Sequence, residues 1–345
     1  MRPMDVREME VEGWERVLIA REGEYHCVLA IHSTALGPAL GGTRLWRYPA
    51  EHEAVADALR LARGMTYKNA MAGLDLGGGK SVILAPARIA DREALFRAHG
   101  RLIESLGGIY YTGEDVGTSP ADMDVVAKET RHVGGTSDSI GDPSPRTARG
   151  VFRAMQAAAL HRLGTSNLKG VRVALQGCGN VGAALAAQLA EAGARLVVAD
   201  VDSARANRVA AETGARVVDA DGIYGVEADV FSPNALGAIL NAETIPRLRC
   251  SIVAGGANNQ LREPGADGAR LAERGITYVP DYVANAGGVI AGFGALSGHP
   301  PEWAAARIDA IHDTVLEVLH RAAAEGILPH LAADVMAEKR LAAAR

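Results

Sequence analysis

The 345-residue chain has only three cysteines, Cys27, Cys178 and Cys250, odd in number and far apart. That spacing excludes a disulfide framework and a cysteine-based metal knuckle, and no metal site is expected. Basic runs are missing as well. With 36 Lys and Arg against 41 Asp and Glu, the net charge is −5, which argues against a nucleic-acid or membrane-surface partner. No segment approaches the ~18 uninterrupted apolar residues of a membrane span. The opening MRPMDVREMEVEGW alternates in charge and lacks the apolar core of a signal peptide. Repeats and low-complexity segments are absent too. A reduced, cytoplasmic setting is the expectation.

What is present is ordinary for a globular enzyme: 48% hydrophobic and 22% charged residues, and enough length for two cores. The stretch MTYKNAMAGLDLGGGKS (65–81) organises the first half. Residues 59–65 read as the apolar face of a helix, with Lys68 near its end. Gly77–Gly78–Gly79 read as a tight turn, and residues 81–85 as a short buried strand ended by Pro86. A turn without Cβ atoms lets backbone approach a ligand, and Lys80 on it suits an anion or carbonyl. A phosphate-cradling P-loop is excluded by count: it needs glycine five residues before Gly79, where Leu74 stands, and Gly73 is one residue too far. A structural turn with two solvated lysines is the bland alternative.

Around that stretch, residues 24–34 alternate like a strand, 36–44 form a turn-rich loop, and 51–67 and 91–106 read as helices. Asp91 caps the second helix and Gly107–Gly108 stop it. A short strand at 109–112 delivers Gly113, Glu114 and Asp115. Lys80 begins one strand and Asp115 ends another, so spacing alone does not bring them together. Asp115 taken by itself reads as a cap for a helix near Ser119.

The second half opens with Ser144 as a cap and Pro145 in the first helical position. A strand at 171–176 then runs into Gly177-Cys178-Gly179-Asn180-Val181-Gly182, followed by an alanine-rich helix (183–192) and a strand (195–199) ending in Asp200. A bare GxGxxG is weak, but strand, helix and an acid at the right distance supply its context. Gly177 makes the turn, Gly179 admits a pyrophosphate and Gly182 lets the helix pack close. A carboxylate at 200 accepts from the ribose 2′-hydroxyl and repels a 2′-phosphate, so NAD is expected over NADP. Strands near 229–231, 251–254 and 277–279 extend the sheet, with Asn- and Gly-rich loops after each. Loop capping is the alternative for those asparagines. Ile308, Ile311, Val315 and Leu319 share one helical face, and a last helix begins near His330.

Taken with GGTR (41–44), EDVGT (114–118), ADMD (121–124), GANNQL (256–261) and PDYVANAGG (280–288), these motifs resemble the Glu/Leu/Phe/Val amino-acid dehydrogenase family over nearly the whole chain. The likeness is to the leucine, valine and phenylalanine branch. It implies an α/β fold of two domains with a cleft between them. These would be a substrate-binding and catalytic domain (1–135) and a Rossmann NAD-binding domain (136–325), with a C-terminal helix (326–345) packing back on the first. The implied activity is reversible, NAD-dependent oxidative deamination of an apolar L-amino acid, in a homo-oligomer.

By that resemblance Lys68 binds the substrate carboxylate with backbone at Gly41 and Gly42. Lys80 activates water, and Asp115 shuttles protons to and from the amine. A lysine beside a second cation in a closed site should have a lowered pKa and act as a base. Asn258 touches substrate and nicotinamide, with Asn285 near it. Arg44, Thr147, Asn234 and Ala235 line the cofactor side, along with Gly177, Gly179, Asn180, Val181, Gly182 and Asp200. The side-chain pocket falls to Leu40, Gly113, Gly134, Val289 and Gly292. Three glycines there imply a roomy pocket, favouring an aromatic amino acid over a branched aliphatic one unless Phe293 refills the space. The competing readings are a branched-chain dehydrogenase, a non-catalytic NAD-binding regulator, and a dehydrogenase of hydroxyl substrates, for which no catalytic histidine motif is found.

Overall fold

The computed structural model describes residues 3–138 and 141–344. The chain divides into two units: Met1–Gly141 with Ala295–Ser297 and Ala337–Arg345, and Asp142–Gly294 with Gly298–Met336.

The first unit is a mixed sheet with a helix on each face. Its strands and helices run β1 (Asp5–Glu8), β2 (Arg16–Glu22), β3 (Tyr25–Ser33), β4 (Ala39–Leu40), β5 (Thr43–Trp46), α1 (Glu51–Met71), β6 (Gly77–Leu84), α2 (Arg92–Ser105), β7 (Tyr110–Tyr111) and α3 (Pro120–Ala127). The sheet order is β1-β2-β3-β6-β4-β7, with β5 also on β6. Strand alternation sorts the core. Val17, Ile19, Val28, Ala30 and Val82 meet Ala54, Ala58 and Ala62 of α1. Leu18, Ala20, Cys27, Leu29, Ile31 and Ile83 meet Leu95, Phe96, Leu102 and Ile103 of α2. Charge in 1–22 hides β1 and β2 from a sequence reading; they form because β2 pairs with β3 across a two-residue turn, Glu22 opposite Tyr25.

The glycine stretch departs from expectation. Gly77–Gly79 are not a turn but the first three residues of β6, antiparallel to β3 and parallel to β4. Packing is the reason. A Cβ on Gly77 would lie 1.9 Å from Ser33 O, one on Gly78 2.0 Å from Thr66 N of α1, and one on Gly79 2.7 Å from the Tyr110 ring. Helix and strand can touch only if β6 is bare there. Asn69 then donates its Nδ2 to Gly77 O at 2.6 Å, pinning the end of α1 to the strand.

Residues of α12 (Pro329–Ala343) complete this unit. The Tyr67 hydroxyl donates to Glu338 at 2.7 Å, and Arg340 donates to the Ala70 carbonyl at 2.7 Å and pairs with Asp75 at 3.1 Å. The guanidinium thus adds a second donor to a carbonyl at the end of α1 that already accepts the Gly73 N–H at 3.1 Å.

The second unit begins with α4 (Ser144–Leu163), where Ser144 is already helical and Asp142 accepts its N–H at 2.8 Å, one step earlier than the sequence suggests. There follow β8 (Arg172–Gln176), α5 (Asn180–Glu191), β9 (Arg195–Ala199), α6 (Ser203–Thr213), β10 (Arg216–Val217), β11 (Val230–Pro233), β12 (Ile252–Val253), α7 (Pro264–Glu273) and β13 (Thr277–Tyr278). The unit's remaining helices are α8 (Asp281–Ala284), α9 (Gly287–Leu296), α10 (Pro301–Asp309), α11 (Ile311–Glu325) and the start of α12 (Pro329–Ala343). All six strands are parallel, in order β10-β9-β8-β11-β12-β13. The direction of winding reverses at β8, which makes the carboxyl ends of β8 and β11 the place for a ligand. Among the described residues no helix is long and apolar enough to cross a membrane, and no group of three or more His, Cys, Asp or Glu could hold a metal.

Candidate active site

Three strand ends of the first unit converge. Parallel pairing of β5 with β6 sets Thr43 opposite Ser81, and Thr43 also bridges to Glu114 beyond β7. The close approach needs glycine: a Cβ on Gly41 would lie 1.7 Å from Gly79 O, and one on Gly42 2.5 Å from Glu114 O. Lys80 and Asp115, which spacing could not relate, therefore meet. Lys80 Nζ stands 3.0 Å from Asp115 Oδ1, and Lys80 is only 4% exposed.

Asp115 is held from three sides. Arg44 Nε reaches Oδ2 at 2.9 Å, and the Asp115 N–H donates to Thr118 Oγ1 at 2.9 Å. Arg44 in turn donates to Asp57 at 3.0 Å, and Asp57 accepts from the Tyr48 hydroxyl at 2.6 Å and from Arg60 at 2.7 Å. Asp115 is not a helix cap; Ser119 and Asp122 form the capping box of α3. Asp57, Tyr48 and Thr118 are parts that sequence reasoning passed over. Asp57 reads as a solvated helix acid, and only the fold reveals that it faces Arg44.

Burial sets the electrostatics. Desolvation pulls the Lys80 pKa below its ordinary value, although the Asp115 carboxylate opposes the shift and Arg44 adds to it. Burial works to raise the Asp115 pKa, but Lys80 and Arg44 together hold it below the usual carboxylate value. The pair is thus a lysine that loses its proton more readily than usual beside an acid that stays ionised. Lys68 lies half-buried in the last turn of α1. The Gly41 N–H is committed to the Tyr111 carbonyl at 3.1 Å, so it offers no donor to a ligand. Leu40 pairs with Gly78 and Tyr111. Gly113 and Gly134 adjoin, the Gly134 N–H donating to Thr112 O at 2.8 Å. A Cβ would meet nothing closer than 3.5 Å at Gly113 or 4.0 Å at Gly134, so neither glycine is demanded by packing.

In the second unit the three glycines of GCGNVG serve three purposes. Gly177 has φ +93°, which side chains rarely adopt. A Cβ on Gly182 would lie 1.9 Å from Gly177 O, so its absence seats α5 against the turn. Gly179 faces open space, with nothing within 4 Å. Asn180 and Val181 open α5, whose first N–H groups lack helical partners. Asp200 follows β9 and accepts the Cys178 N–H at 2.6 Å and the Asp202 N–H at 2.8 Å. These residues fit a dinucleotide: pyrophosphate over Gly179 at the α5 N-terminus, ribose at Asp200.

Around the switch point, Asn234 accepts the Gly256 N–H at 2.8 Å, and Ala235 packs on Gly177. The exposed Asn258 accepts from Asn285 Nδ2 at 2.7 Å. The Thr147 hydroxyl donates to Pro143 O at 3.2 Å and sits 2.7 Å from where Gly288 would carry a Cβ. Val289 and Gly292 lie on α9, Gly292 with nothing within 4 Å of a would-be Cβ. The Phe293 ring rests against Trp303 at 5.9 Å, with His299 at 6.3 Å.

Residues 18–132 match the profile of the Glu/Leu/Phe/Val dehydrogenase dimerisation domain, and residues 141–209 and 201–344 that of the Glutamate/Leucine/Phenylalanine/Valine dehydrogenase domain. The chain belongs to the Glu/Leu/Phe/Val dehydrogenase family. It is therefore an amino-acid dehydrogenase, an oxidoreductase. Among its relatives in the family, the leucine dehydrogenase of Thermoactinomyces intermedius is 50% identical over 96% of this chain and 92% of its own. The valine dehydrogenase of Streptomyces coelicolor is 48% identical over 96% and 93%. The crystal structure of L-tryptophan dehydrogenase from Nostoc punctiforme superposes with a TM-score of 0.87 at 42% identity, covering 96% of this chain and 97% of that one. The two-domain α/β architecture is that of this family.

Proposed function

We propose that the protein catalyses reversible, NAD-dependent oxidative deamination of an apolar L-amino acid, yielding the 2-oxo acid, ammonia and NADH. The observation that carries this is the pairing of buried Lys80 with half-buried Asp115, 3.0 Å apart on strand ends built for close approach. Lys68 and the Gly42 amide bind the α-carboxylate. Asp115, kept ionised by Lys80 and Arg44, takes a proton from the substrate ammonium. Bound NAD supplies the hydride acceptor. Lys80, its pKa lowered by burial, removes a proton from the water that adds to the imino carbon. Asp115 then returns a proton to the amine; the C–N bond breaks as the carbinolamine hydroxyl gives up its proton to solvent, so ammonia leaves and the 2-oxo acid remains. Asn258, oriented by Asn285, contacts substrate and nicotinamide; Thr147, Asn234 and Ala235 line the cofactor. Asp200 favours NAD over NADP, because a 2′-phosphate beside it would set like charges together.

Gly113 and Gly134, which adjoin in the first unit, support a pocket roomy enough for aromatic side chains, since each leaves space that a side chain could occupy. Within the second unit, Phe293 is engaged with Trp303. Identity of 50% with leucine dehydrogenases favours a second reading, branched aliphatic substrates in the same pocket. The match of 18–132 to a dimerisation domain supports a homo-oligomer, and free Cys27, Cys178 and Cys250 suit a reducing, cytoplasmic setting. The test is NADH production from L-Phe, L-Trp, L-Leu, L-Val and L-Glu with NAD and NADP in parallel. Turnover of an apolar amino acid with NAD is expected, fastest on Phe or Trp. Activity on none of them would overturn the proposal.

A further inference from the structure

Behind Lys80 and Asp115 lies a cluster of six buried polar side chains that the reaction does not use directly: Tyr25, Thr43, Ser81, His99, Tyr110 and Thr112. The imidazole of His99, on α2, has one close hydroxyl at each nitrogen, with Ser81 Oγ at a longer 3.5 Å from Nε2. Tyr25 OH is 2.9 Å from Nδ1, and Thr43 Oγ1 is 2.7 Å from Nε2. A neutral imidazole offers one donor and one acceptor, which this pair of hydroxyls uses up. Burial lowers the His99 pKa to about 3, so it remains neutral wherever the enzyme is assayed.

Thr43 is the hub. Its Oγ1 also contacts Ser81 Oγ at 2.9 Å and Thr112 Oγ1 at 2.6 Å, three partners for a group with one donor and two acceptor sites. Its main chain reaches further. The Thr43 N–H donates to Gly113 O at 2.7 Å, and its carbonyl accepts from Thr118 Oγ1 at 3.0 Å, the same hydroxyl oxygen that receives the Asp115 N–H. Ser81 directly follows Lys80 in β6. The Tyr110 hydroxyl ties the Gly41 carbonyl at 2.5 Å and Ser81 at 3.3 Å.

We propose that His99 is a positioning residue: through the Thr43 hydroxyl it fixes the strand ends that carry Gly42, Lys80 and Asp115 relative to one another. The proposal rests on the dehydrogenase reading above. Buried polar groups cost stability unless every one is satisfied, and an apolar side chain at 99 would fill the core without that demand. What the polar network adds is direction. Each hydrogen bond admits only a narrow range of distance and angle, and each leads within one or two steps to a residue of the proposed reaction.

Two pairs of variants test this. His99→Gln keeps a hydrogen-bonding group near the Nε2 position and gives up Tyr25; His99→Asn keeps one near Nδ1 and gives up Thr43. Thr43→Val removes the hub hydroxyl at constant shape, and Thr43→Ser retains it. Expected for His99→Asn and Thr43→Val is a loss in kcat of roughly tenfold or more, with NADH binding unchanged. KM for the amino acid should stay within about threefold in those two variants, and kcat of Gln and Ser within about threefold of wild type. Equal kcat for Asn and Gln, or wild-type kcat in Thr43→Val with only a lower Tm, would overturn the inference. If the histidine variants do not fold, the Thr43 pair decides by itself. Inactivity of the wild type on every amino acid would sink the dehydrogenase reading and this one with it. An active wild type beside an equally active Thr43→Val sinks this one alone.

Discussion

Asp115 divides its carboxylate between two cations, giving Oδ1 to Lys80 at 3.0 Å and Oδ2 to Arg44 at 2.9 Å. A carboxylate held on both oxygens cannot rotate toward solvent, so Lys80 sits against a fixed partner. Removing the ammonium in Lys80→Ala should cut deamination by about 10²–10⁴-fold or more, the range for a lost general base. Binding of NADH, followed by fluorescence titration, should be unchanged, because Lys80 is not among its proposed residues, which apart from Arg44 lie in the second unit. A Lys80→Ala enzyme with normal kcat would remove Lys80 from the mechanism.

The pH profile gives a signed test. Burial lowers the Lys80 pKa and Asp115 opposes that shift. In Asp115→Asn the opposition is gone, while desolvation and the Arg44 charge remain, so the Lys80 pKa falls further. The acid limb of kcat/KM for deamination should move to lower pH in whatever residual activity survives. Arg44→Gln removes a cation that depresses Lys80, so its limb should move to higher pH. An acid limb that stays in place in both variants would assign it to another group.

Asp200 is expected to set cofactor preference and also to hold the turn, since its Oδ2 takes the Cys178 N–H at 2.6 Å. Wild type should favour NAD over NADP. Asp200→Ser should narrow the ratio of the two kcat/KM values chiefly by weakening NAD, by about 1–3 kcal/mol for the orphaned amide and lost ribose contact. A ratio that the substitution leaves intact would put the discrimination elsewhere.

Two glycine-to-alanine changes should behave oppositely. Gly78→Ala drives a Cβ to within 2.0 Å of Thr66 N, backbone that cannot step aside, and should destabilise the protein by about 1–3 kcal/mol or more, read as a lower urea midpoint. Gly113→Ala meets nothing closer than 3.5 Å, so its midpoint should hold. Its kcat/KM for phenylalanine relative to leucine should instead fall roughly tenfold, the effect of one methyl in a pocket. An unchanged ratio would move the specificity pocket away from position 113.

Local signals carried a good part of this structure. The GCGNVG turn, its strand and helix, and Asp200 are legible because the positive φ of Gly177 and the close approach of Gly182 to Gly177 O are constraints within a few residues of one another. Asp91 as a cap for α2 is legible for the same reason, and the structure shows it accepting the Ala94 N–H at 2.9 Å. Gly77–Gly79 read locally as a turn, yet their glycines answer to Ser33, Thr66 and Tyr110, which are distant in sequence. Three glycines in a row mean a turn by propensity and a stripped strand by packing, and here packing decides. The Lys80–Asp115 contact and the chain through Arg44 to Asp57 arise from strand register, which no single segment specifies. His99 lay hidden among the buried residues of α2, since a polar core group has no periodic signature of its own.

The hold of Arg340 on the Ala70 carbonyl bears on the order in which the molecule is made. Residues 337–344 belong to the first unit, yet they leave the ribosome only after all of the second unit has been synthesised. The second unit can close while translation continues. Until then the first, although begun earlier, has no Arg340 guanidinium on the Ala70 carbonyl and no Glu338 partner for Tyr67. Since α1 bears Lys68 in that last turn, the contacts of Glu338 and Arg340 are the last to reach the turn that carries the proposed substrate anchor.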